Sequence, residues 1–152
     1  MPDPFGYIAD LAPWSPWMPF AQPIQQAPRL PGVYLARQTA NGPLVYVGMA
    51  GERRGRGIKG RLTVYYRGKA AVSGLGEAAL DRALADLQWL RQRVAEVEAG
   101  QARRAASWAQ EAIHHADLHI SWATTADRES AVALERRALA TLVDASLWNR
   151  DR

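Results

Sequence analysis

The chain contains no cysteine, which excludes disulfides and thiolate metal sites. No apolar run approaches the roughly 18 residues that a membrane span requires. The first residues lack a basic stretch followed by an apolar core, so no signal peptide is expected. Internal repeats and low-complexity segments are also absent. These absences leave a soluble cytoplasmic protein with no membrane partner as the expectation, and 152 residues are enough for one domain with one proper core. The scarcest commodity is acid in one region. Residues 29–69 hold nine basic side chains and one carboxylate, Glu52, a net +8 in a chain of +4, so the remainder carries −4. Basic charge concentrated in that way suits a polyanion such as DNA or RNA, although a solvated basic loop would have the same composition.

Residues 1–30 read as a Pro/Trp-rich arm on a domain spanning 31–152. Prolines remove backbone donors and oppose regular structure, while Trp14, Trp17 and Phe20 are too apolar for a free tail. The arm is expected to drape over a helical pair at about 77–116 or over a second subunit of a homodimer. Stacking on bases is its alternative role.

Two strand-like runs, 32–37 and 44–49, flank Asn41-Gly42-Pro43 and predict a β-hairpin. The run at 51–57 is a loop by its glycines and charge. Apolar residues at 58, 62, 65 and 66 have helical spacing over 58–67. Ser73-Gly74-Leu75-Gly76 breaks the pattern. Leu80, Leu84, Leu87, Leu90, Val94 and Val97 make an apolar stripe along one long helix, 77–99, with Gly100 as its stop. A second helix covers 102–116 and an alternating strand 118–123. Thr125 or Asp127 would cap a third long helix running through Val143, with Leu134, Ala138, Leu142 and Val143 as its buried stripe. The order β-β-α, helical pair, β-α predicts an α+β fold.

Within this order stand Gly32-Val33-Tyr34 and, 12 residues on, Tyr46-Val47-Gly48. A basic helix follows, and Glu135 and Asn149 come much later. The arrangement resembles the GIY-YIG nuclease superfamily, with valine in place of isoleucine in both motifs. The resemblance covers roughly residues 30–70 and 117–150. It implies a small three-stranded sheet flanked by helices, in which the pair at about 77–116 is an insertion. It further implies a metal-dependent endonuclease, a hydrolase that cuts phosphodiester bonds in DNA with one Mg²⁺ or Mn²⁺ ion.

The resemblance also implies roles. Tyr34 and Tyr46 are the motif tyrosines, with Tyr34 the leading general base. Arg61, in Lys59-Gly60-Arg61-Leu62, is the helix arginine; it stays charged and can grip two phosphate oxygens at once. Arg56 has the simpler spacing and competes, but it is flanked by glycines rather than set in the helical pattern. Tyr65, four residues after Arg61, shares its helix face and would help to place the attacking water. Glu135 would hold the metal, since Mg²⁺ is commonly bound by one or two carboxylates with phosphate and water; Glu129 is the alternative. Asn149, 14 residues beyond Glu135, would orient a neighbouring group or the phosphate. Arg37, Arg53, Arg54, Arg56, Lys59, Arg67 and Lys69 are the candidates for binding nucleic acid.

His114, His115 and His119 are poor zinc ligands. Adjacent helical residues point about 100° apart, and His119 falls on the following strand. Two other classes compete with the nuclease: a nucleic-acid-binding module that has lost its chemistry, and an interaction protein that works through the Trp-rich arm.

Overall fold

The computed structural model describes residues 3–21, 23–52 and 56–150. The chain divides into two compact units, one built from residues 1–63 and 117–152 and the other from residues 64–116.

The first unit is organised by an antiparallel sheet of β1 (Met18–Pro19), β2 (Gly32–Gln38), β3 (Leu44–Ala50) and β4 (Leu118–Thr124). Their order is β1-β4-β2-β3, which sets the Gly32-Val33-Tyr34 strand between two neighbours. The expected three strands are therefore one too few, because the arm supplies β1. Proline is tolerated there because β1 is an edge strand, where a missing N–H costs no ladder bond. The hairpin turn is entered through Thr39, at φ 59, whose N–H donates to the Asp117 carbonyl at 2.8 Å.

Alternation along β2 and β3 separates two faces. Val33, Leu35 and Val47 share one core with Ile8, Leu44, Ala123 and Leu147. Helix α6 (Arg128–Thr141) adds Leu134 and Ala138 to it, and Leu142 follows just beyond the helix end. Asp127, not Thr125, is the cap: its carboxylate accepts from the Ser130 N–H at 2.7 Å. The helix stops at Thr141, short of the expected end, and Val143 is exposed rather than part of the buried stripe.

The arm packs within this first unit. Trp14 and Trp17 lie against its core, Ile8 and Phe20 are buried, and the Trp14 indole donates to the Ile8 carbonyl at 2.9 Å. Placement over the helical pair is thus corrected to placement over the sheet and its core. The short helix α1 (Pro23–Gln26) follows the arm strand. Helix α2 (Gly57–Tyr66) crosses the border between the units. Its start is tied to the preceding segment: the Ile58 N–H donates to the Leu30 carbonyl at 3.0 Å and the Lys59 N–H to the Pro28 carbonyl at 2.9 Å.

The arm lies along β4 with β1 as its outer strand, and the segment after α6 reaches β3. Beside β4, the Ser15 N–H donates to the Trp122 carbonyl at 2.7 Å and its Oγ accepts from the Trp122 N–H at 2.9 Å. Beside β3, the Trp148 N–H donates to the Val45 carbonyl at 2.6 Å. Open strand edges invite pairing with other chains, so these segments act as covers.

The second unit holds α3 (Gly74–Leu84), α4 (Leu87–Glu98) and α5 (Ala105–His115). The long helix expected at 77–99 is two helices. Asp86 breaks it by accepting from the Gln88 and Trp89 N–H groups, which starts α4 afresh. Helix α3 also begins earlier than expected, at Gly74, and α5 begins later than 102. The apolar stripe does not form the core: Leu84, Leu87, Val94 and Val97 are exposed. Small residues of α3 and α5, with Leu75, Ile113 and Trp89, are buried instead. Arg93 is buried too, 4.7 Å from the Trp89 ring centroid and 3.1 Å from Glu96. Among the described residues, no helix is long and apolar enough to cross a membrane.

Candidate active site and basic surface

The two motif glycines have steric reasons to be glycine. Gly48 faces Tyr34 across the β2–β3 pair, and a methyl group there would collide with the Tyr34 ring and hydroxyl. Gly32 faces Thr124 on β4, and a methyl there would strike the Ala123 carbonyl and the Ile58 side chain. One glycine thus seats a tyrosine; the other lets β4 and α2 approach. Tyr34 and Tyr46 stack on the same sheet face, ring centroids 6.1 Å apart and planes 18° off parallel. Gly32 is on that face as well, so Ile58 brings α2 to the tyrosine side. Tyr34 is 1% exposed and Tyr46 is 8% exposed. The more accessible ring is Tyr46, not the expected base Tyr34.

Arg61 is exposed on α2, one residue before buried Leu62. Arg56 precedes the helix; its carbonyl accepts the Gly60 N–H at 2.9 Å, and its side chain begins over the bare Cα of Gly60. Of the two competing arginines only Arg61 is helical. Lys59 is half-buried. Tyr65, one turn after Arg61, belongs to the second unit, where it is buried beside Gly76.

Glu135 is half-buried on α6, next to Leu134. Burial holds its carboxyl above the ordinary glutamate range, and the Arg136 charge offsets this only in part. Helix α6 packs on the Val33, Leu35 and Val47 face, opposite the stacked tyrosines. Glu129 sits exposed in the first turn of α6. Asn149 is engaged with the edge of β3: its Oδ1 accepts from the Val47 N–H at 3.1 Å and its Nδ2 donates to the Val47 carbonyl at 2.7 Å. The amide therefore reads backbone as an added strand residue would.

The basic residues separate into different roles. The Arg37 guanidinium lies 4.4 Å from the Trp17 ring centroid, and its Nε is buried without a hydrogen-bond partner. It binds the arm rather than projecting a charge. Arg53 and Arg54 lie outside the described residues. Arg67 and Lys69 are exposed in the second unit and line a basin of about 540 Å³. Arg103 and Arg104 line it too. That pair was missed because it falls outside the 29–69 cluster; its signal was a double arginine directly before a helix start.

Among the described residues, no three histidine, aspartate or glutamate side chains converge. The histidines have separate neighbours: His114 tilts against Tyr66 and His115 reaches Asp86 at 2.9 Å. His119 is 3.9 Å from Asp117. The carboxylate nominated for the expected hard cation, Glu135, is half-buried, with its pKa raised by that burial. One carboxylate with phosphate oxygens and water suits Mg²⁺, and a cation would offset the cost of keeping that group charged.

Comparison with protein-family models, with curated proteins and with solved structures gives no match.

Proposed function

We propose that the chain is a metal-dependent endonuclease that hydrolyses phosphodiester bonds in DNA. The observation that carries this reading is the stacked Tyr34–Tyr46 pair on the α2 side of the sheet, seated by Gly48. In this reading water adds to phosphorus and gives its proton to a tyrosinate, while one P–O ester bond breaks and the leaving oxygen departs with the bonding pair and takes a proton from solvent. Tyr34 is 1% and Tyr46 8% exposed, so in this reading Tyr46, the slightly more accessible of the two, meets the water and the stacked Tyr34 ring supports it. A free phenol has a pKa near 10, so nearby positive charge must favour the phenolate. Arg61 supplies such charge and stabilises the negative charge building on the phosphate oxygens. Glu135, on the helix of the other sheet face, would hold one Mg²⁺ or Mn²⁺, which when bound would supply Lewis-acid chemistry.

The test is plasmid cleavage with Mg²⁺ or Mn²⁺ by the wild type and by Tyr46→Phe, Tyr34→Phe and Glu135→Gln. All three variants should be crippled, Tyr46→Phe most among the tyrosines. A wild type that leaves the plasmid uncut would remove the nuclease reading, and wild-type rates in all three variants would remove these residues as its site.

A second reading has its own support. Glu135 rides on the helix of the opposite face and Asn149 is occupied by β3. Both facts favour a nucleic-acid-binding module without chemistry. That module would bind DNA with the same salt dependence and leave the plasmid uncut.

A further inference from the structure

The second unit has seven lysines and arginines against six acids, so it is nearly neutral. Yet four of those seven, Arg67, Lys69, Arg103 and Arg104, line one basin with Ser107 and Gln110 and with no carboxylate in the lining. The basin is built by a close approach. Gly68, at φ +70, sits where a methyl group would strike the Ala106 carbonyl and the Gln110 nitrogen, so the turn carrying Arg67 and Lys69 is pressed onto the first turns of α5. Arg103 is held in place by two hydrogen bonds to Glu96, at 3.1 and 2.7 Å, and by Glu111 at 3.7 Å. Among the described residues no carboxylate lies within ion-pair distance of Arg67, Lys69 or Arg104. The start of α5 adds to the positive field: Arg104 stands at the cap without a side-chain bond, and no acid occupies the first turn.

We propose that this basin binds a phosphate group. On the nuclease reading, on which this step rests, the group is a backbone phosphate of bound DNA. Arginine offers a fork of donors that matches two phosphate oxygens, lysine a point charge, and Ser107 and Gln110 neutral donors. The inserted helices then contribute to DNA affinity through a site that the two tyrosine motifs do not contain.

The experiment uses the full chain. Backbone amide shifts of Ala105, Ala106 and Ser107 are followed while sodium phosphate replaces sodium chloride at constant ionic strength, and again with a DNA duplex in EDTA. Salt-dependent duplex affinity is compared for the wild type and Lys69→Gln/Arg104→Gln, two exposed positions whose exchange leaves the core intact. Phosphate and DNA should both move these amides in the wild type. The double variant should lose the phosphate response, and its log–log salt slope should be shallower by roughly 1, the change for one lost phosphate contact. Amides unmoved by either ligand, or an unchanged slope, would overturn the site. Amides moved by phosphate in a chain that binds no duplex would sustain the phosphate site and sink the nuclease reading instead.

Discussion

Gly48 shows how a motif residue without a side chain governs the placement of another. The Tyr34 ring occupies the space a side chain at Gly48 would fill, so Gly48→Ala should act as overpacking and destabilise by about 1–3 kcal/mol, measured by urea unfolding. The same exchange in a Tyr34→Leu background should cost clearly less; equal costs in both backgrounds would mean that the ring yields freely. Glu135 presents the opposite case, a carboxyl whose burial works against its charged form. Burial raises its carboxyl pKa above the unfolded value. The native state is then favoured as pH falls through that raised value, and above it the charged form carries a cost. In EDTA at pH 7, Glu135→Gln should be at least as stable as the wild type, with the difference fading below about pH 4, where free glutamate is also protonated. With Mg²⁺ the same variant should not cut. A variant markedly less stable at pH 7 would show that the carboxylate has a structural partner.

At the scale of elements, the segments beside β4 and β3 are tied to the sheet by hydrogen bonds to its backbone. Asn149 was read as a group that orients substrate, and the structure gives its amide a backbone partner on β3. Asn149→Ala should cost roughly 1–3 kcal/mol for two lost hydrogen bonds and should speed hydrogen exchange at Val47. Asn149→Asp is the sharper test. It keeps the acceptor for the Val47 N–H but sets a carboxylate oxygen against the Val47 carbonyl. It should be no better than alanine at pH 7 and should recover as acid protonates it; a fully stable aspartate variant at pH 7 would mean that the carbonyl contact carries no weight. The hairpin, the strand 118–124 and the start of α6 were legible because each is set by local chemistry: alternation, turn residues and the Asp127 cap. The split at Asp86 was less so. Asp86 lies inside the apolar spacing 80–97, which runs straight across it and reads as one helix. That spacing also misled about burial, since α3 and α5 pack through alanines and leave Leu84, Leu87, Val94 and Val97 outside. The arm strand was not legible at all, because a two-residue pairing beside β4 leaves no period to detect.

For the molecule as a whole, total charge says little and placement says much. The +8 of residues 29–69 is a local concentration of basic charge. Its described members have different settings. Arg37 is stacked on Trp17, Arg56 and Arg61 are exposed at α2 in the first unit, and Arg67 and Lys69 belong to the second unit. If DNA is the partner, its affinity must fall with salt, by about 0.9 log units per log unit of salt for each duplex phosphate neutralised. A wild-type slope of several units is expected. Arg56→Gln should reduce that slope by roughly 1 and leave the rate of bound complexes alone. Arg61→Ala should instead slow cleavage by roughly 10²–10³-fold, as loss of a preorganised donor to the transition state does. Arg37→Gln should do neither, because its charge is turned to the arm; its effect should fall on thermal stability, through the lost contact with Trp17. A reduced slope for Arg37→Gln would return that residue to the binding surface, and a wild-type slope near zero would remove nucleic acid as the partner.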